Sequence, residues 1–375
     1  MTGIYIHIPF CEARCNYCNF VSQVGGDKKA YIDALVKEID AMDAFHNGEA
    51  DSVFFGGGTP SVIKPFYIAM VLDALKASMT ILPNAEITLE ANPGTVSLES
   101  LKEYRRLGIN RLSFGLQSAD DAELAVLGRI HTYEEFLSSY HLAREAGFDN
   151  INIDLIFGLP NQTPEGFKKT VETVVSLESA HMSVYALKLE EGTPMYGTYH
   201  GSAEMPAEDA EREMYHSAIA YLKEKGYAHY ETSNFAKPGF ECRHNLKYWT
   251  GETYIGYGAA AHGYSLTESG AVRTENTSDI DAYIRDMADG IHDAQTQTPL
   301  DFSDMRDEYI MLRLRLAEGI RFADFQARFG TDFETTYAEA IEKTTKAGLI
   351  EKNGLGITPT VKGFDLQNTL ITEFL

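Results

Sequence analysis

Cys11, Cys15 and Cys18 are the residues in this chain whose type and spacing most directly specify chemistry. They share one short stretch, Cys11-Glu12-Ala13-Arg14-Cys15-Asn16-Tyr17-Cys18, directly after an apolar run from Gly3 to Phe10. Three thiols this close on one loop can converge on a single compact object, and thiolates are the usual ligands of iron–sulfur clusters. With three local cysteines, a four-iron cluster keeps one iron without a protein ligand, open to chelate a small molecule. A disulfide would leave the third thiol unpaired. Structural zinc wants four ligands, and His7, the nearest candidate, sits on the preceding strand. On spacing alone, zinc and redox thiols stay open beside the cluster.

Further candidates stand where apolar stretches end. Strands are expected at 3–9, 51–56, 85–91, 111–116, 150–157 and 181–189, with helices at about 28–46, 64–79, 97–107, 120–146 and 164–178 between them. Such alternation implies parallel strands joined by right-handed crossovers. Six βα units suit a partial barrel, with working residues gathered where strands end. There lie the cysteine loop, Gly56-Gly57-Gly58-Thr59-Pro60-Ser61, Glu90, Gln117 and Asp154. The glycine run lacks the spacing of a phosphate or dinucleotide loop. It does offer close backbone approach, with N–H and C=O groups free for a ligand's amine and carboxylate. One polar residue in an apolar strand is usually a satisfied structural group, but three at successive strand ends favour a binding site. Arg129, between two helical stretches, is placed to meet a carboxylate bidentately.

Beyond residue 190 the alternation stops. A polar amphipathic helix is expected over 205–226 and a strand over 229–235. Cys242-Arg243-His244-Asn245-Leu246-Lys247-Tyr248-Trp249 follows, then a run of small residues from Gly256 to Gly263. A lone histidine is more often hydrogen-bonded structure than ligand. His244, set among aromatics, is also a candidate axial ligand for haem iron. Cys242 reads as an inert buried thiol. From about 300, helices near 304–318, 321–328 and 335–346, a hairpin about Asn353-Gly354 and a last helix over 361–373 spell a winged-helix-like module. It lacks a basic recognition helix. The fold class is therefore α/β: a partial (β/α)6 barrel over 1–190, an α+β extension over 191–300 and the winged-helix-like domain over 301–375.

Composition limits the partners. The 375 residues carry a formal charge of −23, with 55 acidic against 32 basic side chains. That opposes non-specific binding to nucleic acid or to an anionic membrane face. No apolar run reaches the ~20 residues of a membrane span, and the first residues lack a signal peptide's pattern. Four cysteines, three of them clustered, make no disulfide framework. A reducing cytoplasm is the expected compartment.

Together these features resemble the radical SAM superfamily. The cysteine spacing matches its cluster motif, with Tyr17 at the aromatic position before the third cysteine. Tyr5-Ile6-His7-Ile8-Pro9-Phe10-Cys11, Gly56 to Ser61, Glu90-Ala91-Asn92-Pro93-Gly94 and Gly128-Arg129-Ile130-His131 resemble the branch containing oxygen-independent coproporphyrinogen III oxidase. Within it, His244-Asn245-Leu246-Lys247-Tyr248-Trp249 matches the HNxxYW haem motif of the HemW-type haem chaperones. The resemblance implies a [4Fe-4S] cluster on Cys11, Cys15 and Cys18. It implies S-adenosylmethionine (SAM) contacts from Tyr5, Tyr17, Gly57, Gly58, Thr59, Glu90, Gln117, Arg129 and Asp154, and haem near His244. The cofactor would carry the hard chemistry.

The implied function is delivery of haem to respiratory-type acceptor proteins, and it is compatible with a membrane-associated acceptor and a homodimer. Two departures weaken the oxidase alternative: Asn19-Phe20 replaces that enzyme's extra cysteine, and the chain starts almost at strand one. A haem-degrading radical SAM methyltransferase is the other enzymatic alternative.

Overall fold

The alternation of apolar strands and amphipathic helices produces one run of six parallel strands. They are β1 (Thr2–Ile8), β2 (Glu49–Gly57), β3 (Thr80–Ala91), β4 (Arg111–Gln117), β5 (Asn150–Phe157) and β6 (His181–Ala186), each paired to the next in chain order. The computed structural model describes residues 1–41, 48–291 and 295–375. All six expected strands are present, although β3 begins at Thr80 and β6 stops at Ala186. Helices α1 (Lys28–Ala41), α2 (Pro65–Ser78) and α3 (Leu98–Leu107) make the first crossovers. Of the helix expected over 28–46, residues 42–46 lie outside the described residues.

The helix expected over 120–146 is two: α4 (Asp121–Val126) and α5 (Tyr133–Glu145). Gly128 takes φ +71, which a side chain would resist, and Thr132 caps α5 in a reciprocal box with Glu135. Arg129 is thereby carried on the break. Helix α6 (Pro164–Val175) completes the crossovers.

Side chains alternate across each strand. One set, including Ile4, Ile6, Val53, Phe55, Leu89, Leu112, Phe114, Ile151 and Ile153, is buried in the main hydrophobic core with residues of α1, α2, α3, α5 and α6. The alternate set, including Tyr5, Phe54, Glu90, Arg111, Ser113, Asn152, Asp154 and Ser183, lines the interior cavity.

After α7 (Pro194–Tyr199) and α8 (Glu208–Glu224) the chain returns to this sheet and extends both edges. The strand expected over 229–235 is instead a hairpin, β7 (Ala228–Glu231) and β8 (Asn234–Ala236), with Glu231 facing Asn234 across the polar pair Thr232 and Ser233. Helix α9 (Arg243–Thr250) carries the His244–Trp249 stretch. Strands β9 (Tyr254–Tyr257), β10 (His262–Thr267), β11 (Gly270–Glu275) and β12 (Thr296–Leu300) follow. The twelve strands run β12-β11-β10-β9-β1-β2-β3-β4-β5-β6-β8-β7. Because β9 pairs parallel with β1, from Gly3 opposite Tyr254 to Ile6 opposite Tyr257, the outer edge of β1 is covered.

The last part packs helices Phe302–Arg313, Phe322–Phe329 and Ala338–Lys346 against strands Ile320–Arg321, Ile350–Asn353 and Gly356–Pro359. Its own core includes Ile310, Phe325, Phe333, Ile341 and Leu370. The final helix breaks at Leu366 into Val361–Asp365 and Gln367–Thr372. No helix among the described residues is long and apolar enough to cross a membrane.

Candidate functional site

The cysteine loop is held by backbone bonds from three directions. Gly58 N–H donates to Ile8 O at 2.9 Å, and Thr59 N–H to Phe10 O at 2.8 Å. Asn16 N–H donates to Leu127 O at 2.9 Å, while Asn16 O accepts from Met195 N–H at 3.0 Å. Gly58 is required by proximity: a Cβ there would lie 2.8 Å from Phe10 O and 3.0 Å from Cys11 Sγ. The three thiols are free and half-buried. Arg129 Nη1 donates to Cys15 Sγ at 3.3 Å, and Thr59 Oγ1 to Cys11 Sγ at 3.6 Å. Among the described residues, no three His, Cys, Asp or Glu side chains surround one point as a single ion would require. A cluster several atoms across spreads its ligands more widely.

Arg129 is the keystone of this end of the barrel. Its Nη2 donates to Asn92 Oδ1 at 2.8 Å and to Gly115 O at 2.5 Å, and Asn92 Nδ2 passes the network on to Thr59 Oγ1 at 2.8 Å. A space of about 140 Å3 beside the cysteines is lined by Gly57, Gly58, Thr59, Glu90, Gln117 and Arg129. It adjoins a larger interior cavity of about 620 Å3, because Tyr17, Gly57, Glu90, Gln117 and Asp154 line both. Tyr5 lines the larger one. The structure thus brings together every residue expected at the SAM site.

Burial raises both carboxyls in this space above the ordinary carboxylate range. Burial, and then the charge of Asp154, pushes Glu90 up to about 8, against the pull of the Gly57 N–H. Burial also raises Asp154, although Asn152 Nδ2 donates to it at 2.7 Å. Gln117 reaches the cavity from a left-handed backbone, φ +76, at an irregularity in the β4–β5 register. Non-glycine residues adopt that conformation at a cost of order 1–3 kcal/mol, typically near functional sites.

His244 is placed differently. It is fully buried and lines neither cavity. One ring nitrogen pairs with Ser52 Oγ at 3.0 Å and the other with Tyr248 OH at 2.8 Å, while the ring stacks on Phe54 at 5.3 Å. Burial, then Lys247 and Arg111, lowers it to about 3, so it is neutral at physiological pH. Asn245 and Tyr248 of the same helix do line the 620 Å3 cavity. Both nitrogens of His244 are thus occupied, one of them by the Tyr248 hydroxyl.

Helix α9 is fastened at each point of its length. Its N-cap residue, Cys242, supplies no side-chain cap. Glu86 on β3 takes that role, accepting from the N–H groups of Arg243 at 3.2 Å and His244 at 3.1 Å. Cys242 is fully buried, as expected, and burial pushes its thiol up to about 12. Lys247, buried, lies 2.9 Å from Asp51 and 2.9 Å from Glu252. Gly3 admits it, since a Cβ there would meet Lys247 Cδ at 2.8 Å. At the other end Arg328 of the C-terminal part donates to Thr250 O and Gly251 O at 3.0 and 2.8 Å.

Several interior residues escaped the sequence reading: Arg111 and Ser113 on β4, Asn152 on β5, Ser183 on β6, and Asn92. Arg111, Ser113 and Asn152 obey an i, i+2 polar alternation, Arg111–Ser113 and Asn152–Asp154, that marks the barrel's inner face.

Relatives can be set beside this geometry. The sequence model of the radical SAM superfamily matches residues 5–174, and that of the HemN C-terminal domain residues 300–366. The chain is 34% identical to heme chaperone HemW of Bacillus subtilis (strain 168), covering 100% of this chain and 99% of that one. It belongs to the HemW family. Other family members include heme chaperone HemW of Lactococcus lactis subsp. lactis (strain IL1403), 35% identical over 99% of this chain and 96% of that one. Heme chaperone HemW of Escherichia coli (strain K12) is 36% identical over 88% and 86%. Among solved structures, coproporphyrinogen III oxidase (HemN) from Escherichia coli superposes with a TM-score of 0.84, covering 100% of this chain and 89% of that one. At 24% identity that likeness establishes a shared radical SAM fold.

Proposed function

We propose that this HemW-family chain is a haem chaperone: it holds a [4Fe-4S] cluster and SAM at the open end of the barrel, binds haem, and delivers it to respiratory acceptor proteins. The observation that carries the reading is the full-length similarity to named heme chaperones, combined with helix α9, whose motif walls the 620 Å3 cavity. The residues present suit the cofactors. Cys11, Cys15 and Cys18 would hold the cluster on a loop whose partner Gly58 leaves Cys11 unobstructed. Gly57, Gly58 and Thr59 would receive the methionine end of SAM, with Arg129, Gln117, Glu90, Asp154, Tyr5 and Tyr17 around it. When bound, the cluster would supply reducing chemistry toward the SAM sulfonium. The chain's own residues position that group and keep water from it. A carrier need not turn over its cargo, so the SAM site would serve structure, regulation or homodimer formation. The acceptor would be membrane-associated, and the compartment a reducing cytoplasm.

The rival reading, oxidative decarboxylation of coproporphyrinogen III, draws on the shared fold. Anaerobic reconstitution with reductant and SAM separates them, with coproporphyrinogen III in one vessel and haem in another and the tetrapyrroles followed by mass spectrometry. Intact bound haem without decarboxylated porphyrin is expected. Protoporphyrinogen in the first vessel would sink the chaperone reading.

A further inference from the structure

Arg111 is 1% exposed, yet it is not paired off inside the protein. Its Nε is buried without a hydrogen-bond partner, and the residue lines the 620 Å3 cavity. The acidic groups near it, Glu86 and Asp154, are already engaged. Glu86 accepts from the N-terminus of α9, and Asp154 accepts from Asn152 and Ser113. A buried guanidinium Nε left without a partner by the protein can be satisfied by a ligand that enters the cavity. The natural complement is a carboxylate, received bidentately.

Arg111 enters the cavity from the other end of β4 than Gln117, with Asp154 and Glu90 near its guanidinium. It opens β4, six residues before Gln117, which at about 3.3 Å per residue is roughly 20 Å down the barrel. The cavity wall also carries the rings of Tyr5, Phe54 and Tyr248, and those of Phe20 and Tyr185, which are exposed. An occupant matching both features is flat, aromatic and carboxylate-bearing.

We propose that Arg111 receives a propionate of the tetrapyrrole, which seats the macrocycle inside the barrel against the face of α9 that bears Asn245 and Tyr248. This deepens the chaperone reading and rests on it. The ligand enters as intact acid; no bond is made or broken.

The test uses the full, reconstituted protein under anaerobic conditions and compares haem with haem dimethyl ester, whose carboxylates are masked. Wild type is expected to bind the free acid at least tenfold more tightly than the ester. Arg111→Gln should lose most of that preference while ester affinity and SAM affinity, measured by calorimetry, stay within threefold. Arg111→Lys should be intermediate. A wild type that binds neither compound refutes the chaperone reading itself. A wild type that binds both equally, or an Arg111→Gln variant that keeps the full preference, overturns the assignment of Arg111 alone. So does a variant that loses SAM while retaining haem. Should Arg111→Gln fail to fold, the wild-type ester comparison and Arg111→Lys decide.

Discussion

Replacing Glu86 by alanine removes the cap of the helix that presents Asn245 and Tyr248 to the cavity. Glu86 is 4% exposed, and its carboxylate receives two backbone N–H groups, from Arg243 and His244, at 3.2 and 3.1 Å. It also accepts the Cys242 thiol at 3.5 Å. Loss of a helix cap costs about 1 kcal/mol. Removing a partly buried negative charge from a helix N-terminus costs up to about 2. Leaving a buried N–H without a partner costs about 1–3. These terms overlap because they describe the same bonds, so the expected loss is about 3 kcal/mol rather than their sum. Glu86→Gln keeps an acceptor but not the charge and should lose about half as much. Urea unfolding reads both, as a fall in midpoint with an unchanged slope. Haem affinity should fall along with stability, because Asn245 and Tyr248 ride on the uncapped turn and its continuation. If Glu86→Ala unfolds at the wild-type midpoint, Glu86 does not anchor α9 and the account of the motif's placement is wrong.

Two further outcomes follow from the buried groups of the barrel. The folded-state value of Glu90, up to about 8, lies above its ordinary 4.5. The cost of burying it is therefore absent below about pH 4.5, grows as pH rises to about 8, and is constant above. Glu90→Gln should accordingly gain about 2–3 kcal/mol more at pH 9 than at pH 6; equal gains at both would remove the burial argument. Arg129→Gln should raise the SAM dissociation constant about 10- to 100-fold by calorimetry, the equivalent of one or two charge-assisted bonds. A change under threefold would place SAM elsewhere.

The six strands were legible because each buries one apolar face, and a two-residue period survives in sequence without knowledge of neighbours. The break in the helix expected over 120–146 was not read, although Gly128 and the Thr132–Glu135 cap are local chemistry that could have marked it. The Thr232-Ser233 hairpin was missed: seven residues of strand character do not reveal that they fold back on themselves, as Glu231 and Asn234 do. The polar inner face was read one residue at a time. Glu90, Gln117 and Asp154 were singled out as strand-end polar groups, whereas Arg111, Ser113 and Asn152 acquire meaning only when adjacent strands are placed in register.

By itself the sequence determined whatever depends on near neighbours along the chain: the cysteine triad, the glycine run after β2, the strand–helix rhythm and the HNxxYW stretch. Only the tertiary structure decided where the side chains of that last stretch lie. Glu86 caps it from β3, Ser52 occupies His244 from β2, and Arg328 closes its far end. As a result Asn245 and Tyr248 face the cavity while His244 is turned away from it. The same is true of Arg129 reaching Cys15, and of β9 lying beside β1. These contacts join residues from 78 positions apart, for Arg328 and Thr250, to 192 apart, for Ser52 and His244, and further still across the β1–β9 pairing. They are set by which strands pair and in what register, and no local periodicity encodes that choice.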